Sequence, residues 1–591
     1  MSYRAPVKDM LFVMKALAGI EAVATLPGHE DHGLDTAAAV LEESAKLAEG
    51  VIAPLNWEGD RNPSFLKDGV VHATPGFKEA FRQYAEGGWQ GLQHPEAFGG
   101  QGLPKLIHAA CSEMVNSANM SFALCPLLTD GAVEALLTAG TPEQQALYLP
   151  RLIDGSWTGT MNLTEPQAGS DLSLVRTRAE PQPDGSYRLF GTKIFITWGE
   201  HDMADNIVHL VLARVVGAPE GVKGISLFIC PKFLPDGTRN DVHCVSLEHK
   251  LGIKASPTAV LQYGDHGGAV AELVGQENRG LEYMFIMMNA ARYGVGVQGI
   301  ALAERAYQKA VQHARDRVQS RPVDGSLAQA APIIHHPDVR RMLMTMRAWT
   351  EGCRAMALVG ASAFDAAHAH LDAETRAQNQ AFYEFLVPLI KGLSTEMSLE
   401  VASLGVQVHG GMGFVEETGA AQHLRDAKIL SIYEGTTAIQ ANDLVGRKTA
   451  RDGGRVALAI AERIEATEGE LAARDSAACR AMALRLAAAR KAFVEVVGFV
   501  AGHSKAHPNA VYAGSVPYLK LAGLAVAGWQ MARALMAAED ALAAGEDPAF
   551  MQAKIATARF FGEHLLNQAP ALRDCIVEGG EAVTAMALES F

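Results

Sequence analysis

The stretch YRLFGTKIFIT, residues 187–197, is rich in aromatic and β-branched residues, a composition typical of β-strands. Similar runs surround it, separated by Gly, Pro and Asp. They are NIVHLVLARV (206–215), GISLFICPKF (224–233) and TAVLQYG (258–264). This succession predicts a β domain in the middle of the chain.

On both sides of this region the apolar residues recur every three or four positions, which is helical spacing. AAAVLEESAKLAEGVIAPL (37–55) precedes it, and the long segment 281–318 follows it. After RDGG (451–454) the chain is Ala-rich and helical in pattern to residue 591. We therefore expect an α+β multidomain fold with four parts: an N-terminal α-helical domain (1–157), a central β domain (158–275), an α-helical bundle (276–448) and a C-terminal α-helical extension (449–591).

The length and composition narrow the class of protein. A chain of 591 residues exceeds the size of one ordinary core, and its 49% apolar content is enough for several. The formal net charge of −15 argues against a protein that coats nucleic acid, which needs clustered Lys and Arg. The seven scattered cysteines include no C-x-x-C pair and indicate reduced thiols in a cytoplasmic protein.

Neither of two apolar segments predicts a signal peptide or a membrane span. The start, MSYRAPVKDMLFVMKAL (1–17), carries four charged residues and has no uninterrupted apolar core. The late stretch KLAGLAVAGWQMAR (520–533) is bounded by Lys520 and Arg533, and it is shorter than the ~20 residues that a span needs. We interpret it as a buried helix.

The sequence GVGVQG (294–299) matches the G-x-G-x-x-G pattern of dinucleotide-binding folds. In those folds the glycines follow a strand and begin a helix. Here the preceding MFIMMNAARY has helical spacing, so we predict that Gly294, Gly296 and Gly299 are helix-packing positions. A nicotinamide enzyme is therefore disfavoured.

Two polar loops and one carboxylate are candidate functional elements. NLTEPQAGSD (162–171) and GTKIFIT (191–197) offer hydroxyls and backbone N–H groups to a planar ring, with Phe195 and Ile196 as an apolar wall, although an ordinary turn and strand would look the same. In SIYEGTTAIQ (431–440), Glu434 stands among apolar residues, where desolvation raises the pKa of a carboxyl group and suits it to act as a base. The alternative is a helix-end glutamate that faces solvent.

Taken in order, LTEP-x-AGSD, GTKIFIT, RDAKI (425–429) and IYEGT (432–436) resemble the acyl-CoA dehydrogenase family. The resemblance spans about residues 35–448. It implies an N-terminal helical domain, a β domain and a helical bundle, with FAD between the last two. The extra C-terminal domain and YRAPVKDMLFVM (3–14) resemble a larger bacterial subgroup that includes 3-(methylthio)propanoyl-CoA dehydrogenases of dimethylsulfoniopropionate demethylation.

The resemblance implies a mechanism in which Glu434 removes the α-proton of an acyl thioester while the β-hydrogen leaves as hydride to the flavin. The product is a trans-2-enoyl-CoA. The backbone N–H of Glu434 and a ribityl hydroxyl of FAD would stabilise the developing enolate, and Gly435 would let the backbone approach the substrate. Arg292 and Ser170 would also contact the substrate, Arg292 as a local cation.

The resemblance also implies a set of FAD-binding residues. One group lies in the two loops and another is expected to reach the FAD of a neighbouring subunit, which implies at least a homodimer. The full set is Met161, Leu163, Thr164, Gly169, Ser170, Phe195, Ile196, Thr197, Arg317, Gln319, Gln407, Gly410, Gly411 and Thr436.

We predict no metal site, because His335, His336 and His409 lack the spacing of metal ligands. Gln167, Ala438 and the QSR at 319–321 depart from the family pattern on the adenine and pyrophosphate side.

Several alternatives remain open at this stage. The acyl group could belong to an ordinary short-, medium- or long-chain fatty acyl-CoA of β-oxidation, since each methylene contributes only about 0.8 kcal/mol to binding. The electron acceptor could be an electron-transfer flavoprotein or, in an acyl-CoA oxidase, O2. A DNA-binding relative of this architecture is disfavoured, because residues 451–591 hold 14 Lys/Arg against 16 Asp/Glu.

Overall fold

The computed structural model describes residues 3–591. The N-terminal part is helical, with one short antiparallel hairpin. Its helices and strands are α1 (Val7–Val13), α2 (Ile20–Val23), α3 (Leu34–Leu47), α4 (Leu55–Arg61), β1 (Phe65–Lys67), β2 (Val70–His72), α5 (Phe77–Glu86), α6 (Lys105–Ala118), α7 (Met120–Ala139) and α8 (Pro142–Ile153).

The middle of the chain forms an eight-stranded sheet. Its strands are β3 (Trp157–Asn162), β4 (Arg178–Pro181), β5 (Tyr187–Thr197), β6 (Asn206–Val215), β7 (Ser226–Pro231), β8 (Val242–Leu247), β9 (Thr258–Tyr263) and β10 (Ala269–Val274). Most pairs are antiparallel, whereas β3 and β4 run parallel to β6. Strand β10 pairs with both β7 and β5, so the sheet curls back on itself around an apolar core.

Long helices follow the sheet. The bundle consists of α9 (Gly280–Asp316), α10 (Pro337–Ala369), α11 (Ala373–His409), α12 (Ala420–Ala427) and α13 (Thr437–Val445). The C-terminal extension consists of α14 (Arg455–Ala472), α15 (Ala477–His503), α16 (Pro508–Ala513), α17 (Ser515–Ala543), α18 (Pro548–Phe560), α19 (Ala569–Val577) and α20 (Gly580–Thr584). The order α, β, α, α is the one that the sequence pattern predicts.

The GVGVQG glycines lie inside α9, where they allow close helix packing. A Cβ on Gly296 would lie 2.5 Å from the Ile390 side chain, and one on Gly299 would lie 2.5 Å from the Ser394 carbonyl oxygen, both on α11. Real Cβ atoms do not approach so closely. The interpretation as helix-packing positions is therefore confirmed, and these glycines begin no nucleotide-binding helix.

The C-terminal extension packs on the bundle through α17. Leu519 lies against Gly392 and Leu393 lies against Gly523, where any Cβ would come within 3 Å of the opposing leucine. By length and composition, α7 and α17 could each cross a membrane, but 78% and 89% of their apolar windows are buried inside the protein. The prediction that 520–533 is a buried helix is confirmed, although packing decides this and length alone does not.

A buried charge network joins both ends of the chain to the bundle. The Arg354 guanidinium contacts carboxylates of Asp9, Glu113 and Glu304 at 2.8, 2.5 and 2.8 Å. Lys554 of α18 lies 2.6 Å from both Asp9 and Glu351. Burial acts to raise the pKa of Asp9, but Lys554 and Arg354 outweigh it and hold that pKa at about 2. Asp9 therefore stays charged at neutral pH.

Replacing Lys554 by Met should lower the free energy of unfolding by about 3–5 kcal/mol, because Asp9 and Glu351 would remain buried with a missing partner. Urea and thermal unfolding of the full chain measure this loss. Lys8→Met is a matched control, since Lys8 pairs with Asp547 between the same two segments but is exposed. It should cost less than about 1 kcal/mol. Equal small losses in both variants would contradict a structural role for the buried network.

Candidate active site

Glu434 lies in a tight turn between the helical turn Lys428–Ser431 and α13. Two consecutive residues have left-handed backbone angles, Glu434 with φ 53° and Gly435 with φ 84°. A Cβ on Gly435 would lie 2.8 Å from Nε2 of Gln440, so this position requires glycine. The Glu434 N–H donates no hydrogen bond to any residue that the structure describes, and it remains available to a ligand.

A buried lysine on α11 holds this turn. The Lys391 Nζ donates to the carbonyl oxygens of Leu430 at 2.8 Å and Gly435 at 2.7 Å, on either side of Glu434. Burial lowers the pKa of Lys391 to about 8, although Glu434 acts in the opposite direction. Sequence reasoning missed Lys391, because its partners lie 39 and 44 positions away and no local pattern marks it.

Burial also controls the charge of the candidate base. It raises the pKa of Glu434 to about 7, while the positive charges of Lys391 and Arg292 act to lower it. Arg292 is itself buried on α9, and its Nε has no hydrogen-bond partner among the described residues. A half-buried carboxyl group with a raised pKa, together with a nearby positive charge whose Nε–H is unpaired, suits removal of a proton beside a group that accepts hydrogen bonds.

A hydrogen-bonded chain leads from this turn into a cavity of about 350 Å³ between α6, α7, α9 and α11. The Tyr433 hydroxyl donates to Gln298, whose amide donates to Asn116 Oδ1 at 3.0 Å. Asn116 lines the cavity, together with the apolar residues Val115, Ala123, Leu127 and Val297. One end of the cavity is therefore two hydrogen bonds from the residue that precedes the base.

One wall of the cavity is polar. Lys105, His108, Ser112 and Asn116 occur at helical spacing along α6, and all four line the cavity. His108 lies 3.4 Å from Asp130 on α7, and burial lowers the pKa of His108 to about 4. The His108 Nδ1 has no hydrogen-bond partner in residues 3–591. The cavity therefore suits a ligand that carries polar groups as well as an apolar chain.

The first polar loop is fixed to β5 by a buried ion pair. The Lys193 Nζ lies 2.9 Å from both the Leu163 carbonyl oxygen and Glu165 Oε1. Glu165 also accepts hydrogen bonds from the backbone N–H groups of Arg176 and Thr177. Burial acts to raise the pKa of Glu165, but Lys193 and these donors hold it at about 2. Both residues stand inside the quoted motifs, yet sequence reasoning assigned them no role.

The second loop is a bulge in β5. The register with β9 shifts between Lys193 and Ile196, and Phe195 adopts φ 60°, which turns its ring outward to 58% exposure. The prediction that Ile196 offers an apolar wall is wrong for its side chain. It is 1% exposed and packs inside the β domain, because successive strand residues face opposite sides. Only Phe195 can present such a wall.

These two loops meet, and the residue that follows the second loop contacts α7. The Ile194 N–H donates to the Thr164 carbonyl oxygen at 2.9 Å. Trp198, directly after Thr197, donates from its indole to the Ser121 carbonyl oxygen at 3.0 Å, and Ser121 is on α7. Eight non-glycine residues in the described chain have a positive φ. Three of them lie in the candidate site: Phe195 and Trp198 at the second loop, and Glu434 in the turn before α13. Such strain is concentrated at functional sites.

The loop residues fit a flavin. The ring needs an apolar surface on one face and hydrogen-bond donors along its polar edge. Phe195 supplies an exposed ring, the side chains of Thr164, Ser170 and Thr197 are at least partly accessible, and no atom lies within 4 Å of where a Cβ on Gly169 would stand. Met161 and Leu163 are buried, so they would contribute backbone groups.

The remaining predicted residues fall into two places. Thr436 caps α13, with its hydroxyl 3.4 Å from the Ile439 N–H, directly beside the base. A second group lies at the opposite end of the α9 and α11 pair, where His313 stacks on His409 with ring centroids 4.2 Å apart. It comprises the exposed residues Arg317, Gln319, Gln407, Gly410 and Gly411. Within residues 3–591, no hydrogen bond joins this group to the two loops.

Four regions of the chain match descriptions of one family. Residues 35–156 match the acyl-CoA dehydrogenase N-terminal domain, 160–265 its middle domain and 278–448 its C-terminal domain. Residues 460–587 match a domain described as acetyl-CoA dehydrogenase C-terminal like.

Full-length relatives have the same arrangement. The chain is 55% identical to 3-methylmercaptopropionyl-CoA dehydrogenase of Ruegeria pomeroyi over 100% of both chains. It is 37% identical to the broad-specificity linear acyl-CoA dehydrogenase FadE5 of Mycobacterium tuberculosis, over 97% of each. The crystal structure of an acyl-CoA dehydrogenase complexed with FAD from Bacillus anthracis superposes with TM-score 0.76, 23% identity and coverage of 93% of this chain and 90% of that one.

The chain belongs to the acyl-CoA dehydrogenase family. The resemblance inferred from the motif order is confirmed, and so is the α+β fold with an additional C-terminal helical domain.

Replacing Lys391 by Met should affect the base in two ways. Without its two hydrogen bonds the turn loses its anchor, and turnover of acyl-CoA at pH 7 should fall by about 100-fold, as expected for a small misplacement. Without its positive charge the pKa of Glu434 should rise, so the acid limb of the pH–rate profile should move to higher pH.

Lys250→Met is the matched control. Lys250 also has a pKa lowered by burial to about 8, and its ammonium donates to a carbonyl oxygen, that of Ser256, but it lies in the β domain. It should leave the pH–rate profile in place. An unshifted profile in Lys391→Met, with turnover lost only through instability, would contradict the positioning role.

Proposed function

We propose that the protein is an FAD-dependent dehydrogenase that converts 3-(methylthio)propanoyl-CoA to the trans-2-enoyl-CoA. The observation that carries this proposal is the 55% identity, over the whole of both chains, to an enzyme named for that acyl group. The match includes the C-terminal extension as well as the catalytic domains. The polar wall on α6 supports a substrate that joins a short acyl chain to the amide-rich arm of coenzyme A.

Glu434 acts as the general base. Its carboxylate removes the α-proton of the thioester, and the positive charges of Arg292 and Lys391 favour its ionised form before the reaction. The free N–H of Glu434 is available to donate to the thioester oxygen as negative charge develops there, an interaction typically worth about 3–4 kcal/mol. FAD, held by the loops that contain Thr164 and Thr197, would supply the acceptor for the β-hydrogen, which leaves as hydride.

The turn geometry explains why the base is efficient. Gly435, Gln440 and Lys391 fix the backbone, so that the base and its own N–H face one ligand without reorganisation. Because the pKa of Glu434 is about 7, the carboxylate is both substantially ionised and strongly basic at neutral pH. The rate should therefore rise with pH through this value.

The second FAD-binding group supports a dimer in the proposal. Arg317, Gln319, Gln407, Gly410 and Gly411 lie away from the flavin loops of their own chain. Exposed apolar side chains accompany them at that end, namely Val318, Met412, Phe414 and Val415. In the proposed dimer, a second copy of the chain covers these residues, so that they contact the FAD bound to that second copy.

An electron-transfer flavoprotein is the proposed electron acceptor. The cytoplasm is the proposed location.

Glu434→Gln should retain bound FAD and its yellow colour, because the substituted amide keeps the size of the side chain and the shape of the turn. Under anaerobic conditions, bleaching by acyl-CoA should slow by about 10²–10⁴-fold, the usual contribution of a general base. Glu396→Gln is the matched control. Glu396 is an exposed carboxylate on α11 that accepts a hydrogen bond from Thr437, the first residue after the Glu434 turn. It should bleach at close to the wild-type rate. Rapid bleaching by Glu434→Gln would assign the proton transfer to another group.

A substrate panel tests the acyl group. The rate of anaerobic flavin bleaching should be higher with 3-(methylthio)propanoyl-CoA than with butyryl-, octanoyl- or palmitoyl-CoA at equal concentration. The second candidate is a linear fatty acyl-CoA, which the 37% identity to a broad-specificity enzyme favours. Faster bleaching by one of the fatty acyl-CoAs would select that alternative.

The rate at which the reduced flavin is reoxidised, by electron-transfer flavoprotein or by air, separates a dehydrogenase from an oxidase. Faster reoxidation by the flavoprotein indicates a dehydrogenase.

A further inference from the structure

Three side chains that the proposed reaction does not use come together on the surface of the β domain. Asp241 precedes β8, His243 is on β8, and His266 is in the turn between β9 and β10. One potential ligand atom from each lies within 4.8 Å of the others. Among residues 3–591, no other group of three His, Cys, Asp or Glu side chains is arranged in this way.

Two of the three distances between ligand atoms match those around a tetrahedral metal ion, and the third, between the two imidazole nitrogens, is at most 4.8 Å. Asp241 Oδ1 lies 3.4 Å from His243 Nε2 and 3.2 Å from His266 Nδ1. With metal–ligand bonds of about 2.0–2.1 Å, tetrahedral angles place neighbouring ligand atoms about 3.3–3.4 Å apart. The two histidine rings lie with their centroids 5.6 Å apart and nearly perpendicular.

The carboxylate is held in place through one oxygen, while the other contacts the rings of His266 and His243. Asp241 Oδ2 accepts hydrogen bonds from the backbone N–H groups of His266 at 2.7 Å and Gly268 at 3.1 Å. Buried Asn240 accepts from the Asp241 N–H at 2.9 Å. Asp241 Oδ1 therefore faces the two imidazoles, and such outer contacts commonly orient metal ligands.

We propose that Asp241, His243 and His266 bind a divalent transition-metal ion of the Zn²⁺ class. Two imidazole nitrogens and one carboxylate oxygen suit Zn²⁺, Co²⁺ or Ni²⁺, whereas Mg²⁺ and Ca²⁺ prefer oxygen ligands alone. The ion joins the start of β8 to the β9–β10 turn, and its fourth position faces solvent. This differs from the sequence-based prediction of no metal site, which considered other histidines.

The test uses the full-length, FAD-loaded protein after treatment with chelator. Zn²⁺ is titrated by calorimetry, and hydrogen–deuterium exchange is followed in residues 264–269 with and without Zn²⁺. His243→Gln and His266→Gln should each weaken binding by at least about tenfold and abolish protection of the turn. His564→Gln, at an exposed histidine in the C-terminal extension, is the control and should bind as the wild type does.

Two results would overturn the proposal. One is equal Zn²⁺ affinity in the wild type and both histidine variants, which would place any bound ion elsewhere. The other is binding without protection of residues 264–269, or equal protection by Mg²⁺. Both readouts are independent of acyl-CoA turnover, so failure here does not affect the proposed dehydrogenase function.

Discussion

The hydrogen bonds from the Lys391 ammonium to the Leu430 and Gly435 carbonyl oxygens are the contact on which the candidate site depends. A left-handed glutamate does not hold such a conformation unless its surroundings impose it. Lys391 supplies that constraint from α11, and the same positive charge opposes the effect of burial on Glu434. Lys391 therefore fixes the backbone around Glu434 and also limits how far burial raises the pKa of its carboxyl group.

The order of helical and strand-rich regions could be predicted from sequence, and a candidate base could be selected, because both depend on local information. Strand-rich and helix-rich composition differ over windows of ten residues, and IYEGT is a short contiguous motif. The same logic separated the α9 glycines from a nucleotide-binding loop, since the residues before Gly294 have helical spacing and the structure places them in a helix.

The rest could not be predicted, since it depends on partners far apart in the chain. Lys391, the Glu165–Lys193 pair and the outward turn of Phe195 become visible only when the elements pack. Ile196 was assigned to the same surface as Phe195, although successive strand residues face opposite sides; the bulge in β5 then decides which of the two faces outward. The roles of the FAD and CoA contacts remain predictions, supported by where the structure places these residues.

The charge network around Asp9 bears on how the chain is made. Asp9 and Lys554 are separated by 545 positions, so the ribosome delivers the ammonium group long after the carboxylate. At about 5–20 residues per second, that interval is about 30–110 s. Arg354 follows Asp9 by 345 positions, so only in the last part of the interval can the amino-terminal helix contact Arg354, and it still lacks Lys554. The network is therefore completed only when α18 has been made, and a chain truncated before α18 leaves Asp9 and Glu351 without the Lys554 ammonium group.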